Sequence, residues 1–172
     1  LAAVLRNEKA DNLFIYGVTG SGKTCVTKNV MQQLLEFAKA RGISVDGCYI
    51  NCRTHSSRYR TLIKSAAEFY PNENFLGYSA AFIYEKLLAY AASGKHLVLV
   101  LDEIDVVDDV DELVYELTRA NDALQKGSIS IIGISNNLRF KERLDPRTIS
   151  SLCEHEMVFP PYNADELCTI LR

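Results

Sequence analysis

No apolar run in this chain approaches the roughly 20 residues that a membrane-spanning helix requires, and no secretory signal opens it. The expectation is a cytoplasmic protein with no membrane partner. Histidine is scarce: His55, His96 and His155 stand far apart in the sequence and form no metal-binding motif. Cysteine is neither paired nor patterned. Five residues, an odd number, lie at Cys25, Cys48, Cys52, Cys153 and Cys168. Cys48 and Cys52 have no second Cys or His pair at zinc spacing, so reduced thiols of a cytosolic protein are expected rather than a zinc site or a disulfide framework. Positive charge is not in excess. A net charge of −3 argues against a surface coated for nucleic acid and leaves room for one local basic patch. Internal repeats and low-complexity linkers are absent too. What is present is ordinary for a globular protein: 172 residues, 48% apolar and 24% charged, enough for one good core, in one domain or a fragment of a larger chain.

One stretch is not ordinary. Gly17-Val18-Thr19-Gly20-Ser21-Gly22-Lys23-Thr24 follows the apolar run Leu13–Tyr16 and opens onto a helix-like pattern from Cys25 to Lys39. This is G-x-x-x-x-G-K-[ST] between a strand and a helix. Gly17, Gly20 and Gly22 let the backbone adopt conformations that a Cβ forbids, turning successive N–H groups around a polyphosphate. The helix start at Gly22 to Cys25 adds unpaired donors and a positive dipole end. Lys23 can set a charge on the β- and γ-phosphates, and the Thr24 hydroxyl can ligate Mg2+. The chain is expected to bind a nucleoside triphosphate.

The rest alternates. Strands are expected at Leu13–Tyr16, Gly47–Asn51, Leu97–Leu101, Ser130–Ser135 and Glu156–Phe159. Helices are expected over Gly22–Ala40, Arg53–Tyr70, Ser79–Ala92 and Asp111–Gln125, with a last one begun at Ala164. Strand and helix in turn mean an α/β fold: a parallel five-stranded sheet with helices on both faces. Leu97–Leu101 is apolar at every position and reads as a central strand buried on both faces.

That strand runs on as LVLVLDEID, ending in Asp102-Glu103 at the sheet's carboxyl edge, where open α/β folds bind ligands. Asp102 is suited to hold Mg2+, directly or through water, and Glu103 to polarise the water attacking the γ-phosphate. The acids from Asp105 to Glu112 read as a solvated face and helix N-terminal charge. After the fourth strand, Asn136 can orient the lytic water beside Glu103; two asparagines in a plain turn are the equal alternative.

LVLVLDEID, SIIGISNN, LDPRTISSL and VFPPYNADEL, in this order after GVTGSGKT, resemble the AAA+ replication initiators of the origin-recognition and cell-division-control type, the archaeal branch above all. The resemblance covers nearly the whole chain. It implies a P-loop NTPase core of AAA+ type over residues 1–172, with a helical lid and a winged-helix domain downstream. The nucleotide is then ATP or ADP with Mg2+, hydrolysed slowly and used as a switch. Origin double-stranded DNA, other initiator subunits and the replicative helicase are the implied partners, and the protein would be nucleoid-associated (nuclear, if eukaryotic). Asn136 falls at the sensor-1 position and Arg147 at the arginine facing a neighbouring subunit. Ile149 stands where a basic residue is expected, and Asn137 where Asp is usual. Arg53–Tyr70 is similar to the initiator-specific insertion that touches DNA, so the resemblance makes Arg53, Ser57, Arg58 and Arg60 candidate phosphate contacts; without it, a solvated helix start with Tyr59 in the core is the favoured reading. Another AAA+ ATPase, of clamp-loader or transposition type, is the alternative within nucleotide chemistry. A signalling module that holds nucleotide with little turnover is the alternative outside it.

Overall fold

The computed structural model describes the chain apart from residues 1, 7, 10, 153, 154, 164, 165, 167 and 170–172. The elements in order are α1 (Ala2–Leu5), β1 (Leu13–Gly17), α2 (Lys23–Ala40), β2 (Val45–Asn51), α3 (Arg58–Phe69), α4 (Ala80–Ala92), β3 (His96–Asp102), α5 (Val110–Ala123), β4 (Ser128–Ser135), α6 (Pro146–Leu152) and β5 (His155–Phe159). Short 3-10 turns cover Ile104–Val106 and Phe140–Arg143. The five strands form one sheet in the order β2-β3-β4-β1-β5, every pairing parallel. The helix expected over 164–172 lies largely outside the described residues.

β3 is central and buried along its whole length. Its side chains alternate between two cores. Leu97, Leu99 and Leu101 join α3, α4 and α5 through Leu62, Ile83, Leu87, Leu113 and Leu117. Val98 and Val100 join α2 through Met31 and Leu34, with Ile15, Ile132 and Ile134. An unbroken apolar run is thus what a strand with helices on both faces must be. No helix among the described residues is long and apolar enough to cross a membrane.

The helix after β2 begins five residues later than Arg53. Asn51 first turns the chain, accepting from Thr54 N–H on its carbonyl (3.2 Å) and from Arg53 N–H on its side chain (2.9 Å). Ser57 then caps α3, its hydroxyl accepting the Arg60 N–H at 3.3 Å. Ser79 caps α4 in the same way through Phe82 N–H.

These strand positions decide where chemistry can gather. Strands β1 and β3 flank β4, so the carboxyl ends of all three lie side by side. The connection from β1 to β2 crosses over β4 and β3, whereas that from β4 to β5 crosses over β1 in the opposite sense. The loops leaving β1, β3 and β4 therefore line one crevice at the sheet edge.

Candidate nucleotide site

The loop after β1 is shaped by its glycines for two different reasons. Gly20 and Gly22 have φ of +84° and +85°, the left-handed region that a side chain disfavours. Gly17 is needed for close approach: a Cβ there would lie 2.2 Å from the Phe159 carbonyl oxygen on β5. The expectation that all three glycines share one conformational role is thus corrected at Gly17. Lys23 is buried, and its ammonium donates to the carbonyls of Gly17 (2.8 Å) and Val18 (2.7 Å) and to Ser21 Oγ (3.3 Å). Burial lowers its pKa, with nearby Asp102 pulling the other way.

Across the crevice, Asp102 is buried at the end of β3 and held by three donors. Thr24 Oγ1 donates to Oδ2 at 2.7 Å, Tyr49 OH to Oδ2 at 2.5 Å, and Glu103 N–H to Oδ1 at 2.9 Å. Burial, followed by the hydrogen bond to Asp102, raises the Tyr49 phenol well above its ordinary range. Glu103 sits at φ 55°, one of two non-glycine residues with positive φ among the described residues. Its carboxylate pairs with Arg53 Nε at 3.4 Å. Thr19, Gly20, Gly22, Lys23, Thr24, Cys25, Tyr49, Asn51, Asp102, Glu103 and Asn136 line one open cleft of about 440 Å³. The loop, both acids and Asn136, chosen from sequence, are thus brought together.

Asn136 is exposed at the cleft wall, directly after Ser135. Ser135 is buried; its hydroxyl donates to Asp105 Oδ1 at 2.7 Å and accepts the Asn137 N–H at 2.9 Å, tying the turn after β4 to the turn after β3.

The other site candidates, Arg53 excepted, lie apart from this cleft. Arg147, on α6, is 81% exposed at its side chain and pairs with Asp145 at 3.5 Å. It borders a separate hollow of about 540 Å³ with Tyr115, Thr118, Arg119 and Ser150. Ile149, at the position where a basic residue was expected, packs against the first core. In the basic stretch, Arg58 is committed elsewhere: it binds Glu116 through Nε (3.1 Å) and Nη2 and pairs with Glu112 at 3.2 Å, all on α5. Ser57 is spent as the cap of α3. Arg60 is exposed, and Arg53 lies at the cleft rim against Glu103. Sequence reasoning missed Tyr49, and also Tyr162, whose hydroxyl lies 2.6 Å from where a Cβ on Gly22 would stand.

Among the described residues no three His, Cys, Asp or Glu cluster around a point. A hydroxyl and a carboxylate at 2.7 Å suit Mg2+, a hard cation that takes few protein oxygens and completes its shell with phosphate and water. Cys48 and Cys52 are buried, which pushes both thiols up to about 12 and leaves them without thiolate chemistry.

A phosphate loop after β1, acids after β3 and a 2-3-4-1-5 parallel sheet define a P-loop nucleoside-triphosphatase core. The chain belongs to the AAA domain family, whose model matches residues 6–144. It is 46% identical to the ORC1-type DNA replication protein 1 of Sulfurisphaera tokodaii over 175 residues, all of this chain and 43% of that protein. It is 44% identical to the protein of the same name from Archaeoglobus fulgidus, again over the whole chain and 42% of the relative. Among solved structures it matches the Aeropyrum pernix ORC1 protein in complex with DNA, at TM-score 0.88 and 38% identity, covering 99% of this chain and 45% of that one. The chain therefore spans less than half the length of the relatives it matches.

Proposed function

We propose that this chain is the ATP-binding and ATP-hydrolysing core of a DNA replication initiator of the ORC1 type. The observation that carries the reading is the convergence of Lys23, Thr24, Asp102, Glu103 and Asn136 on one cleft at the carboxyl edge of the sheet. In this reading the N–H groups from Val18 to Cys25 cradle the phosphates, and the Lys23 ammonium exchanges its loop carbonyls for β- and γ-phosphate oxygens. Thr24 and Asp102 are the residues that would hold Mg2+, and the ion would supply positive charge against the phosphates. Glu103 accepts a proton from the attacking water, and Asn136 orients that water. Arg147 faces the nucleotide of an adjacent subunit. Slow, switch-like turnover belongs to this reading, and the Glu103 carboxylate, paired with the exposed Arg53, has only a weak contact to give up before it serves as base.

The basic stretch beside the cleft is the proposed DNA contact, narrowed to Arg53 and Arg60. The whole protein would add a lid and a winged-helix domain, bind origin double-stranded DNA beside other initiator subunits and help load the replicative helicase. Footprinting of the full-length protein on origin and unrelated DNA, with ATP or ADP, tests this. A protected origin segment that depends on the bound nucleotide supports an initiator. Equal weak protection of every duplex would instead point to a clamp loader or another AAA+ machine.

A further inference from the structure

The holder of the metal-site carboxylate carries an inference of its own. A buried carboxylate can pivot, and Mg2+ tolerates little of that, since it demands near-octahedral geometry at about 2.0–2.1 Å. Three donors restrain Asp102, and two of them are poor fixtures. The Glu103 N–H holds only Oδ1, so the carboxylate can still swing about that bond. The Thr24 hydroxyl belongs to the candidate ligand set itself. The third donor is the Tyr49 phenol, at 2.5 Å from Oδ2.

Tyr49 is fixed at every other point. It sits on β2 directly opposite Val100 of β3, two positions before the Asn51–Asp102 pair and so on the same face of the sheet as Asp102. Its ring is capped by the Lys28 ammonium at 3.9 Å from the centroid. One side of Tyr49 lines the nucleotide cleft, and the other lines an apolar groove of about 300 Å³ with Lys28, Met31, Leu35 and Val100. A phenol clamped in this way reaches the carboxylate from a rigid strand and needs no ligand to order it.

We propose that Tyr49 is a positioning residue for the cation of the nucleotide site, fixing Asp102 in the orientation in which it holds Mg2+ together with Thr24. The inference rests on the nucleotide-site reading above. Tyr49→Phe is the test, because it keeps the ring, its packing and the Lys28 contact and removes only the hydroxyl. The measurement is binding of a fluorescent, non-hydrolysable ATP analogue to the full-length protein, with EDTA and with saturating Mg2+. The ratio of the two Kd values is the coupling between metal and nucleotide. In the variant, Kd in EDTA stays within about twofold of wild type while the coupling falls about tenfold, the lower end of what loss of an outer-shell partner costs a metal site. A coupling equal to wild type overturns the proposal. So does an equal loss with and without Mg2+, which marks Tyr49 as packing only. A wild-type protein that binds the analogue under neither condition removes the nucleotide reading itself, and the Tyr49 role with it.

Discussion

Replacing Glu103 with Gln separates the roles of the two acids at the end of β3. The amide has the shape of the carboxylate but is too weak a base to take a proton from water. If Glu103 is the general base, the chemical step slows by about 10²–10⁴. Binding should barely change, for structural reasons. Glu103 fixes Asp102 through its backbone N–H, which the substitution leaves in place. What is lost is the pairing with Arg53 at 3.4 Å, and that arginine is 73% exposed. An exposed pair of this kind is worth about 0–1 kcal/mol, no more than about fivefold in affinity. The assay is paired: equilibrium binding of ATP with Mg2+, and single-turnover hydrolysis with the full-length protein in excess. Unchanged affinity with a collapsed rate is the expected outcome. A variant that binds ATP a hundredfold more weakly would show that Glu103 is a metal ligand and not a base.

If Lys23 binds the phosphates as proposed, Lys23→Ala removes two charge-assisted contacts worth about 1.5–3 kcal/mol each, and triphosphate affinity measured by titration should fall by about two to four decades. Replacing Arg53 and Arg60 together with Ala should weaken DNA binding alike on all sequences and flatten the plot of log K against log salt by about 1.8, two phosphates' worth; an unchanged slope refutes the contact. Arg58→Ala, by contrast, should leave the slope alone and cost about 1.5–3 kcal/mol of stability in denaturant titrations, because it strands Glu116. For Arg147, mixing full-length Arg147→Ala with full-length Glu103→Gln should restore ATPase activity that neither has alone, since a mixed interface can pair an intact base with an intact arginine. Full activity of Arg147→Ala by itself would leave that residue a surface partner of Asp145.

The sheet was legible because burial on two faces leaves a compositional mark. Leu97–Leu101 could hardly be anything but a central strand, and the structure buries all of it. Boundaries were less legible where side chains compete with the backbone. Arg53–Ser57 has no residue that forbids a helix, yet Asn51 and Ser57 divert the chain until the cap at Ser57 is set. Gly17 shows a subtler miss. Its place in the motif was read correctly, but its reason is the approach of β5, a strand about 140 residues further on.

The same distinction governs the site. Residues proposed to touch nucleotide or metal are restricted in type by chemistry: an ammonium for phosphate, a hydroxyl and a carboxylate for a hard cation, an amide or acid for water. Such residues stand out even in a single sequence. Residues that act on those residues do not. Tyr49 in GCYIN reads as a good strand former, and only the register of β2 on β3 brings its phenol to Asp102, 53 positions away. Arg53 and Arg58 both read as free cations for DNA, yet each meets acids more than 45 positions downstream, Glu103 for one and Glu112 and Glu116 for the other. These contacts are set by strand order and by the seating of α3 against α5, which local pattern does not encode. The stretch leaving β2 is therefore both the proposed DNA face and one wall of the nucleotide cleft. In the proposed reading, a DNA phosphate that attracted Arg53 would act directly on the partner of that arginine, the carboxylate of Glu103.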